Sequence, residues 1–104
     1  MHSNISQPPE VRFLTSGDVS DAEREAADQA VRAALPEAPG AVTAAQVTLS
    51  VVNDSSLPRP ALAQAVVELN GRRLRAQAAA PDLSEAIQLL QDRLAVRAAY
   101  LRAG

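Results

Sequence analysis

The pair Asn70-Gly71 separates two runs of alternating apolar and polar residues, 61–69 and 72–79. Asn-Gly suits the positive φ angles of a two-residue type I′ turn, the strongest short-range signal for a β-hairpin. A two-residue loop leaves one register: Leu69 opposite Arg72, Glu68 opposite Arg73, Val67 opposite Leu74, Val66 opposite Arg75 and Ala65 opposite Ala76. One face of the hairpin then carries Ala63, Ala65, Val67, Leu74, Ala76 and Ala78. The other carries Gln64, Glu68, Arg73, Arg75 and Gln77. A slip of one residue would reverse every side chain, so the agreement of both strands on an apolar side supports this pairing. The apolar face needs a cover, and Arg73 and Arg75 stand on the face opposite.

The remaining segments provide that cover. Residues 11–16 (VRFLTS) predict a short strand closed by Gly17. Ser20 and Glu23 form a capping-box pattern that opens a helix to about Leu35, where Pro36 stops it. Ala22, Ala26, Ala30 and Ala33 suggest a stripe of small side chains able to lie close to a sheet. Asp21, Glu23, Glu25 and Asp28 make the outer face acidic, relieved by Arg24 and Arg32. Residues 37–41 read as a loop. Residues 46–52 (QVTLSVV) alternate as a half-buried strand, with Val47, Leu49 and Val51 on one side. Residues 53–60 (NDSSLPRP) read as a loop. After the hairpin, Asp82 is an N-cap with Glu85 three residues on. Leu83, Ile87, Leu90, Leu94 and Leu101 follow at helical spacing. Arg93, Arg97 and Tyr100 share one flank of that helix, and Arg102 lies on its other side.

The order is β-α-β-β-β-α. A strand, a helix and a parallel neighbouring strand form a right-handed crossover, and the later strands form an antiparallel meander. The expected fold is α+β: a two-layer domain with a four-stranded mixed sheet, two helices on one face and the other face open. The segment 1–10, polar with a Pro pair, reads as a disordered tail. Residues 11–104 then make one domain.

Chemistry is excluded more readily than it is assigned. The chain has no cysteine, and its one histidine, His2, falls in the tail. It shows no Gly-rich phosphate loop and no metal-ligand cluster, so an enzyme, a cofactor and a metal site are not expected. Asp82 and Glu85 are explained as helix-capping residues. There is no apolar run long enough to span a bilayer and no signal-peptide pattern, so the expected location is cytoplasmic. The charge is unevenly divided. Residues 1–57 hold three arginines against eight acids; residues 58–104 hold seven arginines against four acids. Every basic residue is arginine, which a GC-rich genome can produce, and which also suits bidentate binding of phosphate.

With the element order, the segment Asp82, Ala86, Ile87, Leu90, Asp92, Arg93, Leu94, the following Arg97 and Arg102, and the Asn70-Gly71 hairpin, the chain resembles the N-terminal domain of the ribosome hibernation-promoting factor family, also known as ribosome-associated inhibitors. The resemblance covers residues 11–102. It looks closest to the dormancy-associated actinobacterial branch, which has counterparts of "LRAQAA" and "VSDAER". It implies a fold like a double-stranded-RNA-binding domain. It also implies binding to the small ribosomal subunit in the channel that holds tRNA and mRNA, and inhibition of translation in stationary or dormant cells. The implied partners are the small subunit, its 16S rRNA and neighbouring ribosomal proteins, with no membrane and no small-molecule substrate. By position, Arg93 matches a basic site of the family's second helix, and Arg97 and Arg102 match its basic C-terminal half less closely. The chain departs from the family in its acidic first helix, where relatives are rich in Lys and Arg. Many relatives also continue with basic residues beyond the position of Gly104, and long members add a linker and a second domain.

The candidate RNA-binding residues are therefore Arg72, Arg73, Arg75, Arg93, Arg97, Tyr100 and Arg102. Several have a plainer explanation, whereas Arg75 faces Val66 with no acid directly opposite. Arg73 faces Glu68 and could form a surface ion pair worth ~0.5 kcal/mol. Arg72 is exposed beside the turn in either case. Arg93 and Arg97 are like charges at i,i+4, a placement that an anion would relieve. Tyr100 could stack on a base or close the core edge. A chain with only Phe13 and Tyr100 as aromatics lacks the stacking platform of an RRM, so recognition by shape and phosphate is expected. Five arginines on phosphates would give a log–log salt slope of roughly −3.5 to −4.5. The alternative of a different class is a protein-interaction module without RNA affinity. Convergence of Arg75, Arg93, Arg97 and Arg102 on one surface would favour the RNA reading, and scatter would favour the alternative.

Overall fold

The computed structural model describes residues 11–35, 42–54, 56–69 and 71–103, with side chains as far as Tyr100. The expected tail 1–10, the loop 37–41, Asn70 and the side chains of Leu101 and Arg102 lie outside the described residues. Six elements follow in order: β1 (Val11–Ser16), α1 (Asp21–Ala34), β2 (Val42–Val51), β3 (Ala61–Leu69), β4 (Arg72–Ala80) and α2 (Leu83–Ala103). The strands form one sheet in the order β1-β2-β3-β4. β1 runs parallel to β2, and the other neighbours are antiparallel. This is the expected α+β arrangement, with the two helices over one face of a four-stranded mixed sheet.

The hairpin register is the one its turn demands. Leu69 pairs with Arg72, Glu68 with Arg73, Val66 with Arg75, and the ladder continues to Ala61 with Ala80. Gly71 has a φ of +79°, the left-handed conformation for which glycine suits the turn. Burial alternates along both strands, with the odd residues of β3 and Leu74, Ala76, Ala78 and Ala80 of β4 inside. β2 begins at Val42 rather than Gln46, with an irregularity in its pairing between Val42 and Ala44.

The inner face is mostly alanine: Ala45, Ala61, Ala63, Ala65, Ala76, Ala78 and Ala80 are all buried. Against this low surface α2 sets Leu83, Ile87, Leu90 and Leu94, of which Leu90 and Leu94 are wholly buried. Small residues on the sheet leave room for large ones on the helix, so α2 lies along β4 and β3. Fully burying one leucine contributes about 2 kcal/mol. The helix starts at its cap: the Glu85 N–H donates to Asp82 Oδ1 at 2.8 Å.

α1 opens with the expected capping box. The Ser20 N–H donates to Glu23 Oε1 at 2.9 Å, and the Glu23 N–H donates to Ser20 Oγ at 3.1 Å. The buried face of α1 differs from the expected stripe. Ala27, Ala30, Val31 and Ala34 are buried, whereas Ala22, Ala26 and Ala33 are exposed. At 100° per residue the true face is turned by roughly a quarter turn from the expected one. Val31 decides it, because burying a valine yields much more than burying an alanine. The helix packs mainly against α2 and meets the sheet chiefly at β2. No helix among the described residues is long and apolar enough to cross a membrane.

The loop between β2 and β3 is braced locally. Ser56 donates to Asp54 Oδ1 from its backbone N–H at 3.0 Å and from its hydroxyl at 2.7 Å. Both bonds hold the Asp54 carboxyl below its ordinary value, the hydroxyl contributing most.

Gly17 ends β1 with a φ of +83°, and a Cβ there would sit 2.1 Å from the Val51 carbonyl oxygen. Gly71 also has positive φ, but a Cβ would meet nothing within 4 Å. Gly17→Ala should therefore destabilise the fold by about 2–3 kcal/mol and Gly71→Ala by about 1 kcal/mol. Urea denaturation of the two variants checks the order; an equal loss would refute the close approach at Gly17.

Candidate nucleic-acid interface

β4 is an edge strand, and its residues alternate in two senses. Arg73, Arg75 and Gln77 point their side chains to the open face. In an antiparallel ladder the backbone groups of alternate residues also turn away from the partner strand. Gln77 shows this: its carbonyl oxygen accepts a hydrogen bond from Arg93 Nη1 of α2 at 2.7 Å. Arg73 and Arg75 share the parity of Gln77, so their backbone groups face the same free edge.

The space between this edge and the flank of α2 is a groove of about 1000 Å³. Arg73, Arg75 and Gln77 line one side; Asp92, Arg93, Val96, Arg97 and Tyr100 line the other. The expected flank of Arg93, Arg97 and Tyr100 thus meets the two arginines of the hairpin. Four guanidinium groups border one open concavity, and Asp92 is the one acid among its lining residues. Arg73 also approaches Glu68, at 3.8 Å, with both side chains well exposed. Such a pair contributes at most about 1 kcal/mol and leaves most of the guanidinium open. Arg75 stands in register with Val66, which has no charge to offer it.

The seven candidate residues do not all meet. Arg72 is exposed at the start of β4 but does not line the groove. Arg102 belongs to α2, and its side chain lies outside the described residues. Tyr100 is 77% exposed and does not close the core edge. It stands one turn from Val96, itself 59% exposed, so an apolar ledge runs beside the arginines. Sequence reasoning passed over Val96 and the bond from Arg93 to the strand edge. The signal for that bond was available: an edge strand beside a helix has unpaired carbonyls that a long donor side chain can reach.

α1 offers no comparable surface. Arg24 pairs with Asp21, and Arg32 pairs with Asp28 at 3.0 Å, so both of its cations are engaged within the helix. Among the described residues, no group of three or more His, Asp or Glu is placed to hold a metal ion.

Solved structures share this architecture. A ribosomal subunit interface protein from Coxiella burnetii superposes with a TM-score of 0.73 at 19% identity, over 90% of this chain and 98% of that one. The N-terminal domain of Protein Y from Thermus thermophilus superposes with a TM-score of 0.71 at 24% identity, over 88% of this chain and 98% of that one. The chain has the fold of these two proteins. That fold is the one the sequence resemblance implied. Neither a protein-family model nor a curated protein sequence matches the chain.

Arg93 and Arg97 are one turn apart, yet only Arg93 bonds to the strand edge among the described contacts. Arg93→Ala should cost about 1 kcal/mol of stability, whereas Arg97→Ala should stay within about 0.5 kcal/mol of the parent. Chemical denaturation separates the two; equal effects would contradict a bracing role for Arg93.

Proposed function

We propose that this chain is a ribosome hibernation factor domain. It binds the small ribosomal subunit through 16S rRNA in the channel that holds tRNA and mRNA, and so inhibits translation in stationary or dormant cells. The observation that carries this reading is the gathering of Arg73, Arg75, Arg93 and Arg97 on one groove with a single acid among the lining residues. Guanidinium groups bind phosphate in bidentate fashion, and an open groove admits a continuous backbone. The neighbours support it further, since one of them is described as a ribosomal subunit interface protein.

The chemistry follows from the residue types. Among the described residues neither Arg75 nor Arg97 makes an ion pair or side-chain hydrogen bond, so their guanidinium donors face phosphate oxygens. Arg93 uses one N–H on Gln77 and keeps others for the ligand. Tyr100 presents an exposed ring on which an unpaired base can stack. Arg72, exposed nearby, adds flanking charge, and Arg102 follows further along α2. Because phosphate contact dominates, the protein reads shape and charge in preference to base sequence.

Co-sedimentation with isolated small subunits tests this. Four arginines on phosphates predict a log–log salt slope of roughly −2.8 to −3.6, a weakening of about 50- to 150-fold between 50 and 200 mM salt. The Arg75→Glu/Arg97→Glu variant, which spares the Arg93 bond, should lose binding at both concentrations. An absence of binding by the parent at 50 mM would give the lead to a protein-interaction module of the same fold.

A further inference from the structure

A second concavity lies along the same strand edge. It encloses about 360 Å³ and is lined by Arg59, Leu62, Gln77, Glu85, Leu89 and Arg93, with neighbouring β4 residues. Gln77 and Arg93 border both grooves, so their hydrogen bond is the low wall between them. Together the grooves follow β4 from Arg73 to Ala80, roughly 23 Å of strand. That length accommodates a run of several phosphates.

Arg59 is the new feature. It lies in the loop before β3, far in sequence from the other arginines of the edge. Its neighbours Pro58 and Pro60 each have a fixed φ, and Pro60 also holds Arg59 itself out of the helical region. The loop is tied down at both ends. The Val52 N–H donates to the Pro60 carbonyl at 3.0 Å, and the Leu57 N–H donates to the Asp54 carbonyl at 3.1 Å. A cation on such a loop loses little backbone freedom when it meets an anion.

We infer that the second groove is a phosphodiester site in which Arg59, with Arg93, holds the backbone of the same nucleic acid that fills the first groove. The inference rests on the reading given under Proposed function and lengthens the proposed contact by one cation. Glu85 is the opposing charge in the groove. It sits in the first turn of α2, where an acid favours the helix, and it sets a repulsive boundary for the incoming phosphate. The groove therefore predicts effects of opposite sign from its two ionic residues.

The test uses the full chain and isolated small ribosomal subunits, with Kd measured across a salt series. Arg59→Ala should raise Kd about 3- to 10-fold and flatten the log–log salt slope by about 0.7–0.9. Arg59→Lys should keep the slope, and Glu85→Gln should tighten binding. Arg59 is exposed in a loop, so its loss does not threaten the core. An unchanged Kd and slope for Arg59→Ala, while Arg75→Glu/Arg97→Glu loses binding, would overturn the second groove and leave the first standing. An equal loss in Arg59→Ala and Arg59→Lys would also overturn a charge-based contact. Salt-independent binding, or none, by the parent chain would overturn both.

Discussion

The seating of α2 on an alanine-surfaced hairpin sets the rest of the structure. Ala63, Ala65, Ala76 and Ala78 keep the inner face of β3 and β4 low, and Leu90 and Leu94 fill the space above it with no exposure to solvent. A sheet of larger side chains would lift the helix away from the strands. Held close, α2 can send Arg93 to the free edge of β4 and satisfy the Gln77 carbonyl. An edge strand with open backbone groups invites pairing with other chains. Here part of that edge is covered, and the covering residue is charged.

The groove follows from the same geometry. A helix that overhangs the last strand leaves a concavity between its flank and the strand edge. Residues at a two-residue period on β4 and at a three-to-four-residue period on α2 then face one another across it. Arg73 and Arg75 come from the first pattern; Arg93 and Arg97 come from the second. Neither pattern alone makes a basic groove. The arginines meet because the hairpin register and the helix seating are both fixed by the apolar core, whose members are small on one side and large on the other.

The hairpin and both helix starts were legible in the sequence because each rests on local chemistry: Asn70-Gly71 for the turn, Ser20 with Glu23 and Asp82 with Glu85 for the caps. The hairpin register was legible too, since a short turn admits one pairing. The buried face of α1 was not. Its alanines populate several faces, and alanine gains too little from burial to choose among them, so Val31 and the contact with α2 decided it. The start of β2 was missed because Ala44 and Ala45 carry weak strand preference; their pairing with Glu68 and Val67 supplies what the residues lack. In the site, periodicity placed Arg73, Arg75, Arg93, Arg97 and Tyr100 on the right flanks. It could not show that the two flanks form one groove, nor that Arg59 borders a second groove beside it, because these are contacts between elements distant in sequence.

The uneven charge of the chain has a spatial counterpart. α1 reaches β2 on one side of α2, while the groove lies beyond β4 on the other. The cations of α1 are tied to Asp21 and Asp28 within one turn, so its outer surface stays acidic through Glu23 and Glu25. The cations of the groove have few acids nearby. A polyanion approaching such a molecule is repelled by one side and drawn to the other, which favours one orientation before any contact forms. Charges at opposite sides of a small domain are separated by more than the Debye length of about 8 Å at physiological ionic strength. An acidic first helix is therefore compatible with a polyanion held in the groove on the other side of the molecule, because its repulsion would be screened at that distance.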